Sequence, residues 1–387
     1  MNNQISPLPL VSCILPFYNA QQYLGTTLKS LEQIGYSNLE LILVNDGSTD
    51  QSLPIVHDFL EKSHSLKNSK VVNNAKNFGI SYSKNIGMEK SSGDYFFFAA
   101  ADDIQNPTRV IKPLEFLVHN PTFDIVYFDC NICSEDGSFL ERRGFPEKMN
   151  LKNSILFQLK RNHFWSGLFL ARNLFDQRFD ESLSSAVDYD WYFSLYFSNK
   201  KIAFLNESFL DYRTHQSNIS KNLSSSLQNV RAILSKYDFT KLKENLLHDF
   251  SKNEVFLSFA WFEVTLGNYK KAIELLQSIE LDSNFFEITF LLGSSFFQLK
   301  EYGKAINYFS NIISLFPQSV ESMNNLAVSQ IYSGEYNMAR CHNLFKNSLR
   351  IHPRYSDARL NSIRLSKGDI TSLTITEKPL RSTLIHS

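Results

Sequence analysis

The sequence predicts an α/β domain followed by an all-α domain. Over the first ~220 residues, short continuous apolar runs alternate with segments of helical periodicity, which is typical of a mostly parallel sheet covered by helices. From about Ser225 the strand-like runs stop, and similar helical segments recur at a nearly fixed interval. The length of 387 residues exceeds one ordinary domain and suits two.

Four continuous apolar runs are the predicted strands of the first domain. Between the first two, Leu24, Leu28 and Leu31 recur at helical spacing and predict a crossover helix. Ligands bind beyond the carboxyl ends of the strands in such sheets, so polar residues that follow the runs are candidate site residues. The runs are LVSCILPF (Leu10 to Phe17), LELILVND (Leu39 to Asp46), YFFFAAAD (Tyr95 to Asp102) and FDIVYFDC (Phe123 to Cys130).

Polar clusters stand at the ends of three of these runs. A purely local interpretation of VNDGSTD (Val44 to Asp50) is a sharp turn followed by a helix, with Ser48 or Thr49 as the cap. Polar ends on three strands of one sheet are more than a single turn requires, and they predict a ligand site. The clusters are Tyr18-Asn19, Asn45-Asp46-Gly47-Ser48 and Asp102-Asp103.

Three helical segments of the second domain resemble one another. LGNYKKAIELL, LKEYGKAINYF and SGEYNMARCHNLF carry alanines at positions 272, 305 and 339, which are 33 and 34 residues apart. Small residues at such positions let paired helices pack closely, and aromatic residues fill the gap between them. An unrelated helical bundle is the alternative. The middle copy matches the tetratricopeptide pattern at Leu292-Gly293, Phe296, Tyr302, Ala305, Phe309 and Pro317.

Composition excludes several classes of function. The formal net charge of zero gives no reason to expect binding to nucleic acid. Four cysteines without a disulfide framework suit a reducing compartment, and we interpret the Cys130–Cys133 pair as strand or turn residues rather than a zinc site. No signal peptide or apolar run of about 20 residues is evident, so we expect a cytoplasmic protein without a transmembrane segment. Peripheral membrane association stays open.

Several motifs, in order, resemble family 2 glycosyltransferases, which adopt the GT-A fold. LPFYN and VNDGSTD end the first two strands, and NFGISYSKNIGMEKSSGDYFFF leads into the third. After the acids, IQNP keeps the usual spacing to Pro107. RFDESL and then VDYDWYF resemble the acceptor-side segment, and YRTHQSNIS resembles the closing motif. The resemblance covers residues ~9 to 220, and a sequence of weak motifs in the right order is a strong signal.

The sequence departs from the family pattern at three places. Lys84 stands where an arginine is usual, which keeps the charge but loses the bidentate geometry. Ala100 replaces the first acid of the usual Asp-x-Asp-Asp, and Val187 precedes Asp188 where a glutamate is usual.

On the donor side, the resemblance implies a nucleotide-sugar and a divalent cation, Mn²⁺ or Mg²⁺. A cation that bridges the two phosphates stabilises the charge that develops on the leaving diphosphate. The resemblance implies Asp103 as metal ligand, Asp102 on the ribose or the metal, and His215 near the metal or the diphosphate. It also implies Asp46 on the base of the nucleotide, with uridine preferred. The remaining residues implied to contact the donor are Pro16, Phe17, Tyr18 and Lys84.

On the acceptor side, the resemblance implies Asp188 as the catalytic base. Inversion needs a base on the opposite side of the sugar to accept the acceptor's proton. The alternative is that Asp188 caps the helix that starts at Tyr189 or Asp190. Asp190 is expected to support the site. Trp165 and Ser166 could line the acceptor pocket, because aromatic faces stack on sugars, although Trp165 could equally be a core residue.

The prediction is a metal-dependent inverting glycosyltransferase fused to a helical repeat module. It would transfer sugar from a nucleotide-sugar to a hydroxyl of a saccharide or protein, in cell-surface polysaccharide or glycoprotein biosynthesis, and the repeats would recruit a protein partner or the acceptor. A decayed, non-catalytic scaffold is the alternative, which the retained acids oppose. A nucleotidyltransferase would need a glycine- and arginine-rich loop after the first strand, and PFYNAQQYL is not one. The predicted domains are the GT-A domain (1–224), a helical linker (225–252), tetratricopeptide-like repeats (253–365) and a loosely ordered tail (366–387).

Overall fold

The computed structural model of the chain consists of two compact units. The first ends at Lys236 and the second begins at Tyr237, inside the segment predicted as a helical linker. The structure describes residues 8–63, 66, 68–146, 149–150, 152–215, 223–280, 284–334 and 336–379.

The first unit is built on one mixed β-sheet, whose central strands are almost completely buried because their sequences are continuously apolar. Along the sheet the order is β3-β2-β1-β4-β8-β6-β9-β5, and β7 pairs with the outer part of β6. The strands are β1 (Val11–Phe17), β2 (Leu39–Asn45), β3 (Ser69–Asn73), β4 (Tyr95–Phe98), β5 (Ile104–Gln105), β6 (Ile125–Cys133), β7 (Phe139–Arg143), β8 (Phe169–Arg172) and β9 (Ile202–Arg213).

The order in which successive strands are added to the sheet reverses between β1 and β4, although these two strands run in the same direction. From β1 the connections lead outward through β2 to β3, and the chain then returns to place β4 on the other side of β1. Both β2 and β4 run parallel to β1, with Val11 opposite Leu39 and Tyr95. Such a switch point opens a crevice at the carboxyl ends of the strands, which is where ligands bind in open α/β sheets.

The α/β fold class is confirmed, and the sheet is more mixed than predicted. Among the described strands, β8 runs antiparallel to β4 and β6, β5 to β9, and β7 to β6. The predicted third strand also ends earlier, at Phe98, because Ala99 to Asp103 turn away from the sheet. The short strands escaped prediction because runs of two to five residues carry too little periodicity to stand out.

Helices cover the sheet, and the apolar face of the first one has the predicted spacing. The predicted crossover helix is α1, which buries Leu24, Leu28 and Leu31 against the sheet core. The helices of this unit are α1 (Leu24–Glu32), α2 (Ser52–Lys62), α3 (Ile80–Lys90), α4 (Ile111–His119), α5 (Ser154–Lys160), α6 (Val187–Phe197) and α7 (Leu223–Ser235).

The described part of the second unit contains helices and no strands. Consecutive helices pack against one another, and α9, α11, α13 and α15 also contact one another in turn, so they form one layer. The helices are α8 (Phe239–Asp249), α9 (Lys252–Leu266), α10 (Tyr269–Gln277), α11 (Phe285–Gln298), α12 (Tyr302–Leu315), α13 (Val320–Ser333), α14 (Met338–Ile351) and α15 (Ser356–Ser366). Among the described helices, none combines the length and hydropathy that a bilayer crossing requires.

Close packing between α11 and α12 depends on Gly293. A Cβ at this position would lie 2.9 Å from Cε1 of Phe309, which is far closer than such atoms approach. The aromatic ring of Phe309 therefore occupies the space that the glycine leaves, as the small-residue pattern predicts. The assignment of these helices to the tetratricopeptide class stays a prediction.

The tail differs from its prediction. Residues 366–387 were expected to be loosely ordered, but Leu373 and Ile375 are buried among the last helices of the second unit. The backbone of Thr374 and Thr376 is hydrogen-bonded to asparagine side chains of that unit. The segment was unreadable from its sequence because these partners are distant along the chain. Residues 380–387 lie outside the described part.

Candidate active site

The loops that follow β1 and β2 are joined by side-chain hydrogen bonds. The backbone N–H of Asn19 donates to Oγ of Ser48 (3.1 Å), and the backbone N–H of Thr49 donates to Oδ1 of Asn19 (2.9 Å). Neither Ser48 nor Thr49 caps the following helix, contrary to the local interpretation of VNDGSTD. Asp50 instead accepts from the backbone N–H of Ser52, where α2 begins. The turn thus fixes one strand end against the other.

Asp46 lies buried at the end of β2 and holds the loop before α3. Its carboxylate accepts from Nδ2 of Asn74 (2.8 Å) and from the backbone N–H groups of Phe78 (3.0 Å) and Gly79 (2.9 Å). Gly47 has φ 71°, and a Cβ there would lie 2.5 Å from the carbonyl carbon of Lys76, so this close approach requires glycine. The residue predicted to contact the nucleotide base therefore shapes the loop beside the crevice.

The residues predicted at the end of β1 differ in exposure. Pro16 and Phe17 belong to the strand, and the Phe17 ring is buried in the sheet core, so it cannot pack against a nucleotide in this arrangement. Tyr18 is 47% exposed and lies immediately beyond the strand. Of the two aromatic residues implied to contact the donor, Tyr18 alone is accessible.

The turn after β4 presents the two adjacent acids at the switch point. The Thr27 hydroxyl on α1 donates to the carbonyl oxygens of Ala101 and Asp103, which fixes the turn. Asp103 is 2% exposed, and its Oδ1 accepts from the backbone N–H of Arg213 (3.1 Å) at the end of β9. Burial, followed by the neighbouring charge of Asp102, raises the pKa of Asp103 well above its usual range. A positive charge at this place would relieve both effects.

Asp102 is the more accessible acid, with a side chain 28% exposed. Its Oδ2 lies 2.9 Å from Nε2 of His215, and the His215 ring lies 4.6 Å from the ring of Tyr23. The structure thus brings His215 together with the acid pair Asp102 and Asp103, from which it is separated by more than 110 positions in the sequence. Ser217, which belonged to the same predicted motif, lies outside the described residues.

Two buried arginines organise this corner, and sequence reasoning assigned neither a role. The Arg213 guanidinium donates to the carbonyl oxygens of Asp102 and Glu135. Arg109 lies between the rings of Phe97 and Phe128, with its guanidinium carbon 4.5 and 4.3 Å from their centroids. It donates to the carbonyl of Gly167, and burial lowers its pKa to about 9. The Tyr-Arg pair of the closing motif could have drawn attention to Arg213. The sequence around Arg109, just before α4, gave no indication that this arginine is buried.

A second cluster contains the predicted base. The Lys84 ammonium on α3 lies 3.0 Å from Oδ1 of Asp188 and 2.6 Å from Oγ of Ser166. It also lies 4.6 Å from the centroid of the Phe179 ring. Its side chain is 6% exposed, whereas that of Asp188 is 25% exposed. Lys84 was predicted on the donor side, and the structure places it against two residues of the predicted acceptor side.

Asp188 does not cap a helix. The helix α6 begins at Val187, so Asp188 lies inside its first turn, and the N-cap residue Ala186 makes no side-chain cap bond. The alternative role predicted for Asp188 is therefore wrong.

Asp190 points away from Asp188, as expected for residues two apart on a helix. Its Oδ1 lies 2.9 Å from Nζ of Lys236, which also contacts Oδ2 of Asp180 at 2.5 Å. Asp190 therefore anchors α6 through Lys236, and its role in supporting the site stays a prediction.

Trp165 is half-buried beside a cation. The Arg143 guanidinium carbon lies 3.6 Å from its ring centroid, and the Tyr212 ring lies 4.9 Å away on a tilted plane. Both contacts are with residues at strand ends, so Trp165 belongs to the edge of the crevice rather than to the central core.

The two clusters meet at the neighbouring residues Ser166 and Gly167. Ser166 accepts from Lys84, and a Cβ added at Gly167 would lie 4.0 Å from Oδ2 of Asp103. The candidate base and the acid pair are thus connected through two consecutive residues of one loop.

The side chains around the acid pair could supply only some of the ligands that a metal ion needs. Among the described residues, no group of three or more His, Cys, Asp or Glu side chains is arranged to hold a metal ion on its own. Carboxylate oxygens are nevertheless ligands that Mn²⁺ and Mg²⁺ sites use, and substrate phosphates commonly complete such sites. The residues present therefore fit a cation that a bound diphosphate shares.

Residues 12–178 match the family model described as glycosyl transferase family 2. This segment is a family 2 glycosyltransferase domain. It includes the switch point, both acids and Lys84. The helix α6, which carries Asp188, lies beyond its end.

The chain is also similar to several known proteins. An uncharacterized glycosyltransferase of Haemophilus influenzae is 39% identical over 113 residues, which are 29% of this chain and 44% of that protein. An uncharacterized glycosyltransferase of Rickettsia prowazekii is 26% identical over 276 residues, covering 69% of this chain and 83% of the relative. The match to the Haemophilus protein thus spans less than half of that relative. The crystal structure of S. aureus TarS 1-349 aligns with a TM-score of 0.48 at 18% identity, covering 93% and 92% of the two chains.

Proposed function

We propose that the first unit is a glycosyltransferase that moves a sugar from a nucleotide-sugar to an acceptor hydroxyl with inversion. The family 2 domain and the names of similar proteins support the reaction class. A UDP-sugar is the proposed donor, and a saccharide or protein hydroxyl is the proposed acceptor. The observation that carries the proposal is the junction at Ser166 and Gly167, which connects a candidate base to a pair of acids at the switch point.

Asp188 is the proposed general base. The Lys84 ammonium holds Oδ1, and this contact fixes the orientation of the carboxylate while a quarter of the side chain stays exposed. In the proposed reaction, Oδ2 accepts the proton of the acceptor hydroxyl as that oxygen forms a bond to the anomeric carbon. The bond from that carbon to the diphosphate oxygen breaks with its electron pair, so the diphosphate leaves with the negative charge.

The acid pair and His215 are the proposed donor end of the site. Asp102, Asp103 and His215 would hold a divalent cation, which when bound supplies positive charge to the departing diphosphate. Burial makes the ionised form of Asp103 costly without such a charge, in agreement with its raised pKa. Tyr18 is the accessible aromatic residue proposed to contact the nucleotide base.

The helical unit is proposed to recruit a polypeptide, either a protein acceptor or a partner in a biosynthetic complex. Its layered helices and the close α11–α12 packing at Gly293 resemble those of repeat modules that bind segments of other chains. This role is separate from the chemistry of the first unit.

Calorimetric titration of the full chain with UDP tests the proposal directly. In the presence of Mn²⁺ we expect binding that EDTA weakens, and Asp102→Asn and Asp103→Asn should each reduce the affinity at least ten-fold. Asp102→Asn alters an accessible side chain and so remains informative if the buried substitution impairs folding. Asp176→Asn, which changes an exposed acid on another loop, is the matched control.

Absence of binding by UDP and other nucleoside diphosphates, with and without Mn²⁺, would contradict the enzyme proposal. That result would favour a non-catalytic scaffold.

A further inference from the structure

The helical unit contains a groove that is already filled by an extended segment of its own chain. We define the tail segment as residues 371–378. It runs across the layer of odd-numbered helices in reverse order, contacting α15 and α13 first, then Gln298 of α11, and finally Thr265 of α9. A segment that crosses four successive helices in this way occupies the position of a bound peptide.

Two asparagines hold the tail segment by its backbone. Nδ2 of Asn361 donates to the carbonyl of Thr374 (2.7 Å), and Oδ1 accepts from the N–H of the same residue (3.0 Å). Asn325 makes the same pair of bonds with Thr376, both at 2.8 Å. A side-chain amide thus replaces a neighbouring strand at every second residue, which is how an extended peptide is recognised independently of its side chains.

The two asparagines occupy the same position in successive copies of the helix pair. Each is the sixth residue of its helix, Asn325 in α13 and Asn361 in α15. Both are fully buried, and Asn324 joins them by accepting from Nδ2 of Asn361 (2.9 Å). The sixth residues of α9 and α11 are Leu257 and Phe290. The asparagines that bind the tail backbone are therefore specific to α13 and α15.

Side chains of the tail segment contribute in alternation. Leu373 and Ile375 are buried against the last helices, whereas Thr374 between them is exposed. Further bonds also reach backbone carbonyls, from the Tyr332 hydroxyl to Thr371 (2.7 Å) and from Arg364 to Ser372 (2.6 Å). The groove therefore selects an extended backbone with an apolar residue at every second position. The identity of the exposed side chains between them should matter little for binding.

We propose that this groove binds an extended polypeptide segment of a partner protein, and that the tail segment competes with that partner for Asn325 and Asn361. The inference rests on the proposed recruitment of a polypeptide by the helical unit, and it names the chemistry of that polypeptide. A partner is favoured over the tail of a second copy because the turn at Lys367, Gly368 and Asp369 is hydrogen-bonded back onto α15 and delivers the tail to its own groove. The proposed exchange replaces hydrogen bonds and apolar contacts of the tail by those of the partner, and it breaks no covalent bond.

The test uses the full chain and a fluorescein-labelled peptide with the sequence of residues 370–379, ITSLTITEKP. Thr374→Pro with Thr376→Pro removes both backbone donors to the asparagines and should release the tail while leaving the groove intact. We expect this variant to bind the peptide at least ten-fold more tightly than the wild-type protein in fluorescence anisotropy. Thr374→Ala with Thr376→Ala keeps both N–H groups and is the matched control, which should resemble the wild type.

The released variant also shows whether the asparagines form the site. Adding Asn325→Ala and Asn361→Ala removes four hydrogen bonds, and we expect peptide affinity to fall by roughly 10- to 100-fold. Binding that is insensitive to these substitutions would overturn the proposal, as would absence of binding by a released variant with unchanged helical circular dichroism. Dimerisation of the released variant through its tails would overturn the choice of partner.

A second route avoids the proline substitutions. A protease site inserted after Gly368 allows the tail to be cut in the folded protein, and labelled peptide should then exchange for the native tail. Retention of the cut tail against excess peptide would show that it is a permanent part of the core and would overturn the proposal. None of these measurements depends on sugar transfer or on UDP binding, so their failure is distinct from failure of the proposed enzyme.

Discussion

The two units bury polar side chains in different ways. At the crevice of the first unit, the buried groups are ionisable, as for Asp103, Arg109 and Lys84. In the groove of the second unit, the buried groups that hold the tail are the neutral amides of Asn325 and Asn361. Buried charges respond to pH and to charged ligands, whereas amides provide directional hydrogen bonds whatever the pH. The difference suits one unit for chemistry on a charged substrate and the other for holding a backbone.

The largest expected effect is on catalysis in the first unit. Asp188→Asn preserves shape but removes the proton acceptor, so kcat should fall by about 10²- to 10⁴-fold, the range that general bases contribute. The release of UDP from a donor sugar with a suitable acceptor measures it, and Asp176→Asn serves as control. A variant that keeps more than half of the activity would show that Asp188 is not the base.

The next effect would introduce a charge into the neutral groove. Asn361→Asp places a carboxylate where the amide now donates to the carbonyl of Thr374, so it should destabilise the folded state of the second unit at pH 7 by about 3 kcal/mol. Burial would raise the pKa of the new carboxyl, so stability should recover as pH falls and the protonated acid can donate again. Thermal unfolding from pH 4.5 to 8 measures this.

Asn361→Ala is the control, since it loses the bonds that Nδ2 donates, and also the one that Oδ1 accepts, but carries no titratable group. Equal pH dependence in the two variants would contradict the assignment.

A smaller effect is expected at a charged group that supports the sheet of the first unit. Glu40 is buried and accepts from the Ser12 hydroxyl (2.5 Å) and from the backbone N–H of Ser92 (2.6 Å). Burial raises the pKa of Glu40, but these hydrogen bonds outweigh it, so the pKa lies below its usual value. Glu40→Gln should cost about 1–2 kcal/mol of stability at pH 7.

The pH dependence of that stabilisation has a definite sign. The Glu40 contribution is present above the unfolded pKa of about 4.3 and is lost as pH falls through the lower folded value. The wild type and Glu40→Gln should therefore converge below pH 4 in denaturant unfolding. Glu89→Gln, at an exposed position on α3, should have no such effect.

The smallest effect is expected at Lys236, which is about one-third exposed. Lys236→Met removes the ion pairs with Asp180 and Asp190 and should cost less than about 1 kcal/mol, because solvent screens them. The hydrogen bond from Lys236 lowers the pKa of Asp180 to about 2, so its contribution is present above about pH 4 and is lost towards pH 2. Added salt should reduce the difference between wild type and variant; a difference that grows with salt would contradict the ion-pair assignment.

The sequence predicts the sheet of the first unit well where strands are continuous apolar runs. The polar strand ends predict a site that includes Asp102 and Asp103. His215 was implied only by the family resemblance, and the structure places it beside Asp102. Burial of Arg109 could not be predicted, because its partners are the rings of Phe97 and Phe128 and a distant carbonyl. The order of the tail segment was missed for the same reason. A hydrogen bond from Asn325 to the backbone of Thr376 leaves no pattern in the residues around either position.

The short link between α15 and the tail segment sets a threshold for binding. Only residues 367–370 separate the end of the helix from the first anchored residue, so the tail faces its groove at an effective concentration in the mM range. A free peptide of equal intrinsic affinity would need a similar concentration to fill half of the grooves. The helical unit should therefore bind dilute, monovalent segments poorly and respond to a partner that is abundant or bivalent.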